Sequence, residues 1–298
     1  MDKKKNILIL GCGYVGSTLA RRWLDDGHEV WAVNRSTERL RNLVSSGLKL
    51  VQAQVDSHDW HQRVPVELSL VLNCVSAGGG GLEGYQRSYL GGNRSLCAWA
   101  KKSRVGQIIY TSSTGVYPFT DGRIVREEDA GGGLADTGKI LWEAEGTLRE
   151  DGTISDRTTI LRLAGIYGPA RHYLLDALQR GQSVFPGNGE VFMNLIYLND
   201  IVAAIDLVGK HPDAPGETFN LVDNEPTDKA TVVEWLASEL GRKKPRFDPE
   251  LPPQRRMRVN AVGQSPNRRI SNEKIRGTLS WEPKYPTYRQ GFAELLRV

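Results

Sequence analysis

Short apolar runs alternate along the chain with more mixed stretches. Residues 6–10, 29–33, 48–53, 68–73, 107–111 and 158–163 are rich in Ile, Leu and Val, and they read as strands buried on both faces of a parallel sheet. The intervening residues 17–24, 37–46, 85–102 and 137–151 read as helices. Strands alternating with helices predict a doubly wound parallel α/β sheet, and right-handed crossovers bring the strand ends along one edge. Past residue 169 the pattern changes. Residues 172–181 predict a helix, 186–189 a turn and 219–222 a returning strand. Residues 229–240 predict a second helix, whose Val232, Val233, Leu236 and Leu240 form a core-facing stripe. Residues 288–296 predict a closing helix.

Composition changes this picture little. With 39 Lys and Arg against 35 Asp and Glu, the net charge of +4 does not point to nucleic acid. Three cysteines, Cys12, Cys74 and Cys97, have no metal or redox spacing and suit a reducing compartment. The five histidines are scattered, so no metal is expected. No apolar run approaches the roughly 20 residues that cross a bilayer. The lysine-rich start precedes an apolar run of only five residues and reads as a solvated lead-in, not a signal peptide. A cytoplasmic protein without membrane contact is the expectation.

The most informative stretch is the first one. The run at 6–10 leads into Gly11-Cys12-Gly13-Tyr14-Val15-Gly16 and then a helix. In this G-x-G-x-x-G spacing Gly11 permits a tight turn, Gly13 lets the backbone approach a pyrophosphate, and Gly16 lets helix pack on strand. Tyr14 and Val15 complete the loop as further cofactor-binding candidates, and the helix that follows turns its N-terminus to the phosphates. Cofactor choice falls to the end of the second strand, Asn34-Arg35-Ser36. An acidic residue there would mark NAD through the ribose hydroxyls, whereas Arg35 with Ser36 suits a 2′-phosphate. Arg39, one turn on, extends the same pocket. The expected cofactor is therefore NADP, with NAD less favoured. Gly78 to Gly81 form a glycine run after the fourth strand, read either as a lid or as a mobile connection.

With Ser112-Ser113-Thr114-Gly115-Val116-Tyr117, Leu161 through Pro169, Asn194 through Asp200 and Leu279-Ser280-Trp281-Glu282-Pro283, the chain resembles the short-chain dehydrogenase/reductase superfamily. The likeness is to its extended, NAD-dependent epimerase/dehydratase-like branch and the atypical relatives of that branch. The resemblance implies a Rossmann-type domain over residues 1–168 with a returning segment near 194–223. It also implies a smaller C-terminal α/β lobe over 169–193 and 224–298 that carries the substrate contacts. Ser113 falls at the position of the family's catalytic serine, where a hydroxyl at a strand end polarises a carbonyl; the plainer reading is a serine capping a turn. Gln54 and Val55 stand where the family places the residues that meet adenine.

The family's Tyr-x-x-x-Lys pair has no counterpart here. Aligning Glu145 with the family's glutamate puts Thr137 in the tyrosine's place and Leu141 in the lysine's. Shifting the register to use Lys139 puts Ala135 in the tyrosine's place. Threonine is far less acidic than a phenol, which titrates near ~10. Lys139, two residues from Thr137, points elsewhere on a helix, with reach to a cofactor ribose. Tyr85, Tyr117 and Tyr167 are candidate substitute phenols. Met193 also replaces the arginine that binds a nucleotide-sugar pyrophosphate in the family's epimerases, and Tyr197 replaces the histidine that follows it.

The basic stretch 242–276 contains Arg242, Lys243, Lys244, Arg246, Arg255, Arg256, Arg258, Arg268, Arg269, Lys274 and Arg276. It reads as a loop for a phosphate or carboxylate, as a nucleic-acid patch lacking aromatics, or as a solvated loop. Three functions remain. The first is an NADP-dependent oxidoreductase or epimerase-like enzyme acting on a small polar, anionic substrate, with Ser113, Thr137 and Lys139 as catalytic candidates. The second is a non-catalytic NADP sensor. The third is a nucleotide-sugar epimerase or dehydratase with relocated groups. By the resemblance, helices 85–102 and 137–151 would pair in a homodimer.

Overall fold

The computed structural model describes residues 4–251 and 265–297. Five parallel strands, β1 (Asn6–Leu10), β2 (Glu29–Asn34), β3 (Lys49–Gln52), β4 (Glu67–Asn73) and β5 (Arg104–Ser113), are joined to β6 (Thr158–Leu163) and β7 (Thr218–Leu221) in one sheet. Its order is β7-β6-β5-β4-β1-β2-β3. This is the Rossmann-type arrangement that the βα alternation predicts. Ile7 to Leu10, Val30, Ala32, Val33 and Leu70 to Leu72 are all buried, as continuous apolar strands require when both faces are covered. The 158–163 run does not complete the sheet, because β7 adds one more strand beyond it. Ile160 N–H bonds Glu217 O and Ala164 N–H bonds Leu221 O, so β6 and β7 run in the same direction.

By contacts the chain splits into two compact units. The first comprises the described residues within Met1–Val116, Asp136–Arg162 and Val202–Phe219. The second comprises those within Tyr117–Ala135, Leu163–Ile201 and Asn220–Val298. In the first, α1 (Tyr14–Asp25) and α2 (Arg41–Ser45, after a 3₁₀ turn at Glu38–Leu40) follow β1 and β2. The long helix read at 85–102 is a continuous helical run over residues 81–100 in three segments: α3 (Gly81–Tyr85), a π turn at Gln86–Gly91, and α4 (Gly92–Ala100). Glycines let this run approach closely, because a Cβ on Gly91 would lie 2.9 Å from Asp56 Cβ and one on Gly92 would lie 3.3 Å from Val55 Cγ2. The helix presses on the segment after β3 only because those side chains are missing. α5 (Asp136–Arg149) packs on α4 and on the π turn.

The second unit has its own core. Tyr167, Leu174, Leu175 and Leu178 pack with Val232, Val233, Leu236, Tyr285, Tyr288 and Phe292. These side chains come largely from α6 (Tyr173–Gln179), α8 (Lys229–Glu239) and α10 (Tyr288–Leu296), with α7 (Leu198–Val208) and α9 (Glu273–Leu279) between them along the chain. Three of the four stripe residues on α8, Val232, Val233 and Leu236, are fully buried, and Leu240, just past its end, packs partly buried against them. Two short parallel strands, Gly165–Tyr167 and Leu195–Tyr197, pair beside this core. Asp200 accepts backbone N–H bonds from Lys284 (2.8 Å) and Tyr285 (3.1 Å), tying down the segment that leads to α10.

Among the described residues no helix is long and apolar enough to cross a membrane, and no group of three metal-ligating side chains occurs.

Candidate functional site

The glycine loop is fixed by three close approaches. Gly11 has φ +86°, and a Cβ there would lie 2.7 Å from Val75 Cα. Its N–H bonds Val33 O at 3.0 Å, and its carbonyl accepts from Gly13 N–H (2.8 Å) and from the Cys74 thiol (3.1 Å). A Cβ on Gly16 would fall 2.8 Å from Gly11 O and 2.9 Å from Cys74 Sγ, so α1 can rest on the loop only through glycine. Gly13 differs from both, since nothing lies within 4 Å of its would-be Cβ. The fold itself does not demand glycine there, but a ligand that must reach the backbone does. No side chain caps α1 and no acidic residue occupies its first turn, so its N–H groups and dipole remain directed at an incoming anion. These residues fit a dinucleotide pyrophosphate.

A cavity of about 150 Å³ opens from this loop, lined by Gly11, Gly13, Asn34, Arg35, Ser36, Gln54 and Val55, with Cys74, Val75, Ser76, Gly78 and Ser88. Seven sequence-derived cofactor residues therefore meet in one place. Tyr14, Val15 and Gly16 lie in the first turn of α1 behind it, and Arg39 is exposed on the 3₁₀ turn outside the lining. Arg35 reaches across to the glycine run, where a Cβ on Gly78 would stand 2.8 Å from its Nη2. Gly78, at φ +57°, thus provides the space in which the guanidinium sits. The Val55 side of the lining is braced from beneath, because Trp60, fully buried, donates its indole N–H to Val55 O at 3.2 Å. Ser88 enters from the π turn. Gly78 belongs to the glycine run that the sequence marks after the fourth strand, whereas Cys74, Ser76 and Ser88 carry no signal of their own as lining residues.

Cys12 and Cys74 are poor nucleophiles here. Burial pushes the Cys12 thiol up to about 12 and that of Cys74 higher still.

Ser113 ends β5, and its Oγ accepts from Gly115 N–H at 3.2 Å, the turn-capping contact of the plainer reading. On α5, Leu141 is 1% exposed and belongs to the core. Lys139 is exposed, with Nζ 3.5 Å from Asp136 Oδ1, and Thr137 is half-buried. No phenol and no ammonium share a face of this helix. Among the substitute phenols, Tyr117 donates to Asn220 Oδ1 at 2.6 Å. Tyr167 packs on Phe292 and Tyr197, and burial raises its phenol. Tyr85 stacks with Tyr89 at 5.1 Å.

The C-terminal half of α5 holds a dense polar cluster. Glu145, fully buried, accepts from Ser112 Oγ (2.6 Å), Arg149 (2.7 Å) and Arg162 (2.8 and 3.1 Å).

The second unit contains a cavity of about 340 Å³ that sequence reasoning did not find. In the basic stretch, Lys244 pairs with Glu234, Arg246 with Asp248 and Arg276 with Glu282. Arg269 donates to Gly122 O and lies over the Phe192 ring. Arg255, Arg256 and Arg258 lie outside the described residues.

A sequence model of the NAD dependent epimerase/dehydratase family matches residues 7–139. The chain is similar to Protein YeeZ of Escherichia coli (strain K12), at 27% identity over 293 residues that cover 95% of this chain and 97% of the relative. Among solved structures it resembles a putative NAD-dependent epimerase/dehydratase from Methylobacillus flagellatus, with 27% identity, TM-score 0.77 and coverage of 99% and 98%. The Bordetella bronchiseptica enzyme WbmG in complex with NAD and UDP has the same fold, with TM-score 0.82 at 18% identity over 99% and 94% of the two chains.

Proposed function

We propose, from the premise that residues 7–139 belong to the NAD dependent epimerase/dehydratase family, that this protein binds NADP in preference to NAD at the glycine loop. It would act there on a small polar substrate. Gly11, Gly13 and the first turn of α1 would hold the phosphates. Arg35 and Ser36 would hold the 2′-phosphate, and Gln54 would meet the adenine amino group. When bound, the nicotinamide supplies or accepts hydride. Ser113 would donate a hydrogen bond to the reacting oxygen.

The observation that carries the NADP reading is the end of β2. No carboxylate stands there, and Arg35 lines the cavity with its guanidinium against Gly78. Calorimetry with NADP(H) and NAD(H) on wild type and Arg35→Ala tests it. A preference for NADP(H) that Arg35→Ala lowers by roughly 10- to 100-fold is expected for a charge-assisted phosphate contact. Wild type that binds neither dinucleotide would overturn the reading.

A second reading, a cofactor-binding protein without turnover, is favoured by the burial of Leu141 and by Lys139 facing Asp136. It predicts tight NADP(H) binding and no hydride exchange across a panel of carbonyls and alcohols. A nucleotide-sugar substrate predicts competition by UDP sugars, and Met193 in place of the pyrophosphate-binding arginine weighs against it.

A further inference from the structure

The glycine run at residues 78–81 folds into a closed turn on the rim of the cofactor cavity. Gly80 N–H bonds Ala77 O at 3.0 Å, spanning Gly78 (φ +57°) and Gly79 (φ +82°). Two left-handed residues inside a four-residue hydrogen-bonded turn have the φ signs of type I′. α3 packs closely on this turn, since a Cβ on Gly84 would lie 2.5 Å from Ala77 O. The two central glycines then differ in one respect. A Cβ on Gly79 would meet nothing within 4 Å, whereas one on Gly78 would meet Arg35 Nη2 at 2.8 Å.

Arg35 is anchored at its backbone and open at its tip. Gln52 Nε2 donates to Arg35 O at 3.4 Å, Asn34 Nδ2 donates to Ser36 O, and Ala53 N–H bonds Asn34 O at 3.3 Å. The guanidinium makes no hydrogen bond or ion pair among the described residues. Two acids close by in the chain are engaged elsewhere, Glu38 with Arg41 and Glu83 with Arg87. An unneutralised guanidinium fork in a cavity also lined by Ser36, Ser76 and Ser88 fits a phosphate. An arginine stem is long and has many rotamers, so residue type alone does not say where its charge stands. The wall that it lies against does.

We propose that Gly78 is the positioning residue of cofactor choice: the absence of a side chain at this turn admits the Arg35 guanidinium to the rim of the cavity, where it faces a 2′-phosphate. This rests on the NADP reading above and adds a second residue to it. Arg35 supplies the charge, and the turn after β4 fixes its place. A side chain at position 78 displaces the guanidinium and leaves the glycine loop at Gly11–Gly16 as it is. NADP(H) affinity then falls while NAD(H) affinity holds. On this reading the run is a wall at the adenosine end of the cavity, neither a lid nor a mobile connection.

The test is calorimetry of NADP(H) and NAD(H) binding to the full chain, for wild type, Gly78→Ala, Gly78→Asn and Gly79→Ala. Asn is included because it tolerates left-handed backbone better than other side-chain-bearing residues. Gly79→Ala strains the same turn without meeting Arg35, so it reports on the turn alone. Both Gly78 variants are expected to lose roughly fivefold or more in NADP(H) affinity and to keep NAD(H) within about twofold, as for a weakened charge-assisted contact. Gly79→Ala should stay within about twofold for both cofactors, and so should Gly78→Ala when added to Arg35→Ala, where no guanidinium remains to be displaced. Equal losses of both cofactors in the Gly78 variants would overturn the proposal. So would an undiminished NADP(H) preference in them, a Gly79→Ala loss as large as theirs, or a full Gly78→Ala effect without Arg35. Wild type without a preference for NADP(H), or a preference that survives Arg35→Ala, overturns the NADP reading itself and is seen before the Gly78 variants are compared.

Discussion

Lys139 and Glu145 stand six residues apart on α5 and meet opposite circumstances. Glu145 is sealed in the first unit with Ser112, Arg149 and Arg162 on its two oxygens. Lys139 extends into solvent with a single loose acidic neighbour. Around Glu145 the helix keeps what the scaffold needs, the polar lock between α5, β5 and β6. Around Thr137, Lys139 and Leu141 it has lost the side chains that the resemblance assigns to proton transfer. Packing and chemistry are therefore separable along one helix. A buried ion pair cannot be removed piecemeal without leaving a charge stranded, whereas an exposed acid–base pair can disappear at little structural cost.

Substitutions sharpen this contrast. Glu145→Ala strands the Arg162 guanidinium, and a loss of about 3–5 kcal/mol is expected in denaturant unfolding. A loss under 1 kcal/mol would mean that the cluster is ornamental. Ser113→Ala, in the same sheet end but outside the lock, should leave the unfolding midpoint nearly unchanged. It should lower turnover by roughly 10²-fold, the usual penalty for a lost oxyanion donor. Wild-type turnover would remove Ser113 from the chemistry.

Asp200 extends the comparison to an acid answered chiefly by backbone amides, with the Lys284 ammonium as a lesser influence. Burial raises its pKa from 3.8 to about 6, so the native state holds a proton that the unfolded chain releases. Stability from this group is present at low pH and is lost as pH rises through 6. Asp200→Asn should thus be more destabilising at pH 5 than at pH 7, by about 1 kcal/mol. Equal effects at both pH values would place the carboxyl near its ordinary range. At the small end, Lys139→Ala should change stability by no more than about 0.5 kcal/mol, as expected for an exposed pair.

Much of the first unit was legible because backbone demands leave residue signatures. Gly11 and Gly16 are glycines for packing reasons that any strand–turn–helix of this kind shares, whereas no neighbour requires a glycine at Gly13. Arg35 could be read from its place at a strand end. The departure at Thr137 and Leu141 was equally plain. The cavity of the second unit was not, because its walls are contributed from residues over 120 positions apart. The extra strand β7 was read as a returning strand, but its place at the sheet edge depends on pairing with β6, which local pattern does not encode.

The π turn at Gln86–Gly91 bears on how the cofactor cavity tolerates change. An α-helix closes its hydrogen bonds over four residues and a π turn over five, so this segment stores one residue more than a regular helix along the same path. Deleting one residue there would relax the turn to α geometry and shift the residues inside it, while the helix on either side kept its facing. Ser88 would leave the lining while Asn93 and Trp99 kept their buried places. The rim of this cavity is set by chain length as well as by residue type, and an insertion or deletion would reshape it where substitutions would not.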